Sequence, residues 1–408
     1  MSKSRNIRTA FHYWGGSTAT FFTYTHLSHD LCTGLLAALL PFIREGMGLS
    51  YLQSGLLLSA FTITSGLSQF PGGWIGDRFN RQIIIAIGLG GVGLTALAIG
   101  LNPAYYPMLF ILVIMGIFAG AYHPSTLSML SGHFEEARRG KVIALHMVGG
   151  SIGFAIGPVL GGLIADILGW RFAFIILSFP ALIAVPLILN KLRQREWLNS
   201  HDSVHQTSRD DYTTHQPKRR YTSVFQVLRS IAIIFALAVI IQFIAGSSVA
   251  FLPIYLVDKH HIAPAYAAML MGIIRGGGIA GSLLGGWLSD RWGRKKAIFL
   301  SLVATGPTLY LLTLLPFNAG LMMIFILFGM IMYMRQATVQ PFLMDSVPPQ
   351  LRATTFGIYF GLSMEGMSLA QPLAGHFMDI FGIVDVFNAI ALISIGLSLV
   401  ALFLYKKA

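Results

Sequence analysis

Charge is scarce in this chain. Only 11% of its 408 residues are Asp, Glu, Lys or Arg, against about a quarter in soluble domains. Acidic residues are the scarcest, 16 against 28 basic ones. With 55% hydrophobic residues and a mean hydropathy of +0.69, a soluble fold could not hide its apolar surface from water, whereas a lipid-facing fold need not. Cysteine is almost missing. The single Cys32 excludes an internal disulfide and any cysteine metal cluster. There is no nucleotide-binding loop, no metal-ligand set at recognisable spacing and no Ser/His/Asp arrangement in a familiar context. An enzyme, a cofactor and a bound metal are therefore not expected. The net charge of +12 does not point to nucleic acid, because the basic residues sit in short loops beside apolar runs. No cleavable signal peptide is expected either, since residues 1–16 are polar and basic and the apolar run after them is too long.

What the chain does contain is long apolar runs. Twelve are of bilayer-crossing length, at about 17–43, 51–75, 82–101, 105–130, 142–168, 172–190, 224–256, 264–288, 297–316, 318–343, 353–381 and 384–405. The expected fold is all-α and integral to a membrane, with twelve transmembrane helices in two pseudo-symmetric six-helix bundles. Residues 1–190 and 223–408 would form the halves, joined by a solvated linker at 191–222 that holds seven basic residues. With the N-terminus in the cytoplasm, 22 of the 28 Lys and Arg fall on that side, and only Arg44, Arg171 and Lys259 on the other. This bias predicts a multi-pass plasma-membrane protein with both termini cytoplasmic.

The halves repeat one another. Gly72-Gly73-Trp74-Ile75-Gly76-Asp77-Arg78-Phe79-Asn80-Arg81 returns as Gly285-Gly286-Trp287-Leu288-Ser289-Asp290-Arg291-Trp292-Gly293-Arg294, an offset of 213. Arg139 matches Arg352 at the same offset. A basic turn duplicated between apolar segments indicates two similar membrane-embedded halves. Gly73 and Gly286 are expected to let neighbouring helices approach closely. Arg78, Arg81, Arg291 and Arg294 complete the candidate gating motif, although topology control alone would account for basic residues there. Asp77 and Asp290 are not needed for topology, so they favour a gating contact that closes the cytoplasmic side in one state. In the fifth run, glycines 149, 153, 157 and 161 form a flat ridge, and Pro158 permits a bend. Plain helix packing would explain that ridge equally well.

Four charges lie near the middle of apolar runs: Asp30, Arg275, Arg335 and Glu365. Each costs several kcal/mol unless paired or hydrated. Their counterparts in the other half are uncharged, so they serve either substrate and coupling ion or a pair of buried ion pairs. Thr23, His26, Asp30 and Thr33 share one helix face, which should look onto water or substrate. His26 precedes Asp30 by one turn, close enough to share a proton. Asp30, Glu365 and His26 are the candidate proton carriers, and Arg275 and Arg335 are candidate ligands for an anion. His146 and His376 read as packing residues.

The Gly73-x-x-x-Asp77-Arg78-x-x-Arg81 turn resembles the signature loop of the major facilitator superfamily of transporters, and the resemblance extends over nearly the whole chain. Gly153-x-x-x-Gly157-Pro158-x-x-Gly161-Gly162 resembles the signature of its drug:proton antiporters, although Ala144 stands where that pattern has a further glycine. Tyr122-His123-Pro124 and His26-x-x-x-Asp30 look like segments of fosmidomycin-resistance-type exporters, and the arginine many drug antiporters carry near Gly116 is absent. The resemblance implies a central cavity lined by helices one, four, seven and ten, with three, six, nine and twelve outside, and a turn that latches the conformation. It adds Tyr122 and His123 to the candidate substrate ligands. The expected function is secondary active transport by alternating access, as proton-coupled export of a drug-like or anionic compound. Proton-coupled uptake of a small organic anion is the alternative. The expected partners are a small-molecule substrate, protons and the lipid bilayer, with the protein a monomer.

Overall fold

The computed structural model describes residues 16–101, 104–193, 224–347, 358–359, 362–363 and 366–407. Their regular structure is helical and follows the twelve apolar runs. Helix α1 runs Gly16–Met47, broken at Gly34 into Gly16–Thr33 and Leu35–Met47. It is followed by α2 (Tyr51–Arg78), α3 (Arg81–Leu101), α4 (Tyr105–His133), α5 (Glu136–Leu168) and α6 (Trp170–Arg193). The second half holds α7 (Val224–His260), α8 (Pro264–Trp292), α9 (Arg294–Leu314), α10 (Ala319–Ser346), α11 (Gly366–Phe381) and α12 (Ile383–Lys407). Ten of these are long and apolar enough to cross a membrane. The two others have evident reasons: α2 is diluted by Ser, Thr, Gln and Gly, and α11 has 16 described residues. Large apolar side chains face outward, with Ile167, Leu283 and Met323 exposed by 78%, 73% and 71%. Lipid tails accept such a surface and water does not.

Local chemistry sets the joints. The repeated basic turn places two residues between the helices in the first half and one in the second. In the second half this is Gly293, whose φ of 92° costs a glycine little. In the first half Asn80 holds the matching position, and its side chain accepts the Gln82 N–H at 3.0 Å to cap α3. Asn318 caps α10 in the same way, accepting from Leu321 N–H at 3.1 Å.

The chain divides into two compact units. One falls within residues 1–34, 64–157 and 171–221, the other within 35–63, 158–170 and 222–408. Helices α1, α2 and α5 are each cut part-way. In the first unit α3 packs along α4, and the N-terminal segment of α1 lies on both. In the second, α8 packs along α10, α9 on α10 and α12, and α7 on α11 and α12. The segment Leu35–Met47 joins α7 and α8 there. Polar contacts explain this grouping. Arg44 meets Asp258 at 3.3 Å and lies over the Tyr51 ring at 4.1 Å. The Tyr51 hydroxyl donates to Asp258 at 2.6 Å. Asp379 accepts the Tyr51 and Leu52 backbone N–H groups at 2.8 and 2.9 Å, an anion at the N-terminus of α2.

Close helix approach falls one residue earlier in the repeated turns than the sequence suggests. A Cβ on Gly72 would lie 2.7 Å from Ala121 Cα, and one on Gly285 2.9 Å from Met334 Cγ. Gly73 faces only Pro124 at an ordinary 3.7 Å, and Gly286 faces nothing within 4 Å. One residue turns a helix by about 100°, so only one glycine of each pair can look at the neighbour. The α5 ridge does make a helix contact. A Cβ on Gly149 would strike the Thr23 carbonyl, on Gly153 the Leu27 carbonyl, and on Gly157 would lie 2.9 Å from the Leu31 carbonyl. Each glycine thus meets the next turn of α1. In the other unit Gly161 continues the register against Leu35.

Candidate functional site

The glycine ridge brings α5 down onto the polar face of α1, and α4 closes the same place. Three helices of the first unit therefore contribute to one buried cluster: His26, His29 and Asp30 from α1, Tyr122 and His123 from α4, and His146 and Gly150 from α5. Asp30 is its centre. Its Oδ2 lies 3.3 Å from His26 Nε2, and its Oδ1 lies 2.7 Å from His29 Nδ1. His26 Nδ1 lies 2.9 Å from the His146 carbonyl, and His146 Nδ1 lies 2.9 Å from the Phe22 carbonyl. The His26 and His146 rings stack at 4.2 Å. His123 stands edge-on to His26 and His29, at 5.2 and 4.7 Å between centroids.

Burial is nearly complete, with His26, His29, Asp30 and His146 exposed by 2%, 1%, 4% and 1%. The polar stripe of α1 therefore faces protein, which corrects the expectation that it looks onto water. Tyr122 is fully buried as well. Its hydroxyl shares a hydrogen bond with Thr25 Oγ1 at 2.9 Å and its ring stacks on His29 at 4.6 Å. His123 is half-buried. His146 is part of the cluster, not an isolated packing histidine. His26, Asp30 and His123 each offer a ligand atom within 4.8 Å of the others, a set that sequence spacing does not reveal. His29 and Gly150 also escaped the sequence reading. The available signal for His29 was two histidines within four residues of an acid on an apolar helix.

The arginines lie elsewhere. In the second unit Arg335 is 1% exposed and donates to Gln242 Oε1 at 2.6 Å and Thr305 Oγ1 at 3.2 Å. Its partners are neutral among the described residues. Arg275 is half-buried on α8. Glu365 lies outside the described residues, as does the side chain of Asp77. In the repeated turns Arg78 stacks over Trp74 at 3.9 Å and Arg291 over Trp287 at 5.3 Å, at matching positions. Arg81 is half-buried. Arg294 pairs with Asp345 at 2.8 Å, whereas Asp290 is exposed and has no ion-pair partner among the described residues.

Comparison with known proteins agrees with this architecture. The family model described as Major Facilitator Superfamily matches residues 22–369. An MFS-type transporter of Bacillus subtilis (strain 168), YfnC, is 24% identical over 91% of this chain and 88% of its own length. The fosmidomycin resistance protein of Escherichia coli (strain K12) is 23% identical over 92% of this chain and 89% of its own. Among solved structures, a bacterial homologue of the human lysosomal transporter Spinster, in an inward-facing and occupied conformation, superposes with a TM-score of 0.75. It shares 16% identity and covers 94% of this chain and 96% of its own.

Proposed function

The chain belongs to the Major Facilitator Superfamily, and on that premise we propose that this membrane transporter exports a small drug-like or anionic compound in exchange for protons. Asp30 carries the reading. A carboxylate buried in an apolar helix is costly unless something shares its charge. Two imidazoles at 3.3 and 2.7 Å are proton-sharing partners of the right chemistry. Likeness to a drug-resistance protein over nine-tenths of both chains supports export. Arg335 supports an anionic group in the substrate, because a buried guanidinium with neutral partners would be neutralised by one. In this reading the halves 1–190 and 223–408 alternate access through the linker 191–222. The turns at 73–81 and 286–294 act as cytoplasmic gates, both termini are cytoplasmic, and the protein works as a monomer in the plasma membrane.

Reconstitution into proteoliposomes with an internal pH dye tests this. Fosmidomycin and a panel of small organic anions and drugs would be added in turn. The expected result is compound-dependent proton flux that Asp30→Asn abolishes. Compound movement without proton flux overturns the coupling, and unchanged anion affinity in Arg335→Ala overturns the anion site.

A further inference from the structure

The cluster around Asp30 is not satisfied by its own hydrogen bonds. A neutral imidazole has one N–H and one bare nitrogen. His26 uses its Nδ1–H on the His146 carbonyl, so its Nε2 lone pair faces a carboxylate oxygen at 3.3 Å. His146 uses its Nδ1–H on the Phe22 carbonyl, and its buried Nε2 has no partner. His29 directs Nδ1 at Asp30, and its buried Nε2 has none either. Of the three, only His26 has its Nδ1–H held by a backbone carbonyl and its Nε2 turned toward the Asp30 carboxylate, as surroundings orient a metal-binding histidine. The spacing also fits: two ligands about 2.05 Å from a tetrahedral ion lie about 3.3 Å apart, the observed His26 Nε2 to Asp30 Oδ2 distance. Gly150 of α5 packs directly against them: a Cβ there would lie 2.5 Å from His26 Nε2 and 2.7 Å from Asp30 Oδ2, so any larger residue would crowd both ligand atoms.

We propose that His26 Nε2, Asp30 Oδ2 and a ring nitrogen of His123 form a site for a divalent transition-metal ion of the Zn2+, Co2+ or Ni2+ class. Two nitrogens and one oxygen suit these borderline ions and not Mg2+ or Ca2+, which prefer all-oxygen sites. Three protein ligands leave a fourth position for water or a substrate group. The inference does not depend on proton-coupled export, and either can fail without the other.

The test uses the full chain, purified in detergent through a tag that contains no histidine, and Co2+ as the probe. The expected result is one Co2+ per chain, with the intense visible bands of a four-coordinate ion that Zn2+ displaces. Asp30→Asn and Gly150→Ala should each weaken binding at least tenfold, while His376→Ala, outside the cluster, should not. His123→Ala, at a half-buried position, provides a variant less prone to misfold, and it too should bind at least tenfold more weakly. Zn2+ should raise the thermal unfolding temperature of the unsubstituted protein and not that of Asp30→Asn. Absence of Co2+ binding in the unsubstituted protein overturns the proposal. So does Co2+ binding that survives in Asp30→Asn and His123→Ala.

Discussion

Arg335 is a permanent cation at a fully buried position, and two neutral oxygens share the work of holding it. A hydrogen bond to a charged group contributes about 1.5–3 kcal/mol, and the shorter of the two, to Gln242, should contribute more. Gln242→Leu should therefore destabilise the protein by about that amount, with Thr305→Val costing less. Thermal unfolding in detergent checks the order, and equal melting temperatures for Gln242→Leu and the parent would mean that the guanidinium does not rely on Gln242. The sequence singled out Arg335 and Asp30 because a charge in an apolar run stands out against its neighbours. It gave no hint of Gln242 or Thr305, which are ordinary polar residues on α7 and α9. Their importance exists only where those helices meet α10.

Among the helices, glycine does the positioning. Gly285 and Gly286 are adjacent in sequence and opposite in effect. A methyl group on Gly285 would meet Met334 at 2.9–3.0 Å, while one on Gly286 would meet nothing within 4 Å. Overpacking costs about 1–3 kcal/mol, whereas replacing an unconstrained helical glycine by alanine gains about 0.5–1 kcal/mol. Gly285→Ala should lower the melting temperature and Gly286→Ala should raise it. A shift of the same sign in both would refute this account of the turn. The glycine pair was plain in the sequence, but its orientation depends on the rotation of α8 against α10, and a change of one residue moves the contact by about 100°. The α5 ridge was legible for the opposite reason. Four glycines at a spacing of four share one face whatever the rotation, and only the identity of the partner, α1, had to come from the fold.

For the molecule as a whole, the C-terminal end of α1 and the N-terminal end of α2 belong with α7 and α11. Asp379 holds two N–H groups at the start of α2, and Asp258 holds Arg44 and Tyr51. A helix cap of this kind contributes about 0.5–2 kcal/mol. If transport requires these ends to part, Asp379→Ala should favour the parted state by about fivefold for each 1 kcal/mol removed. A cysteine at Leu52, in a Cys32→Ser background, would then react several-fold faster with an impermeant thiol reagent applied from outside. An unchanged rate would show that the contact is structural and does not gate.

The sequence alone determined the membrane class, the twelve helical runs and the repeated turn. Each of these is written locally: a span is a run of about 20 apolar residues against lipid, and the repeated turn is a short stretch that returns at a fixed offset. Only the tertiary structure decided which charges meet. His26 and the His146 carbonyl are 120 residues apart in the chain, and no spacing rule connects them. They touch because glycines 149, 153 and 157 of α5 face the α1 backbone, so the two helices approach until imidazoles from three helices close around Asp30. Sequence spacing therefore joined only His26 to Asp30, while helix packing brought His123 and His146 beside them in the apolar interior, where unpaired lone pairs cost most.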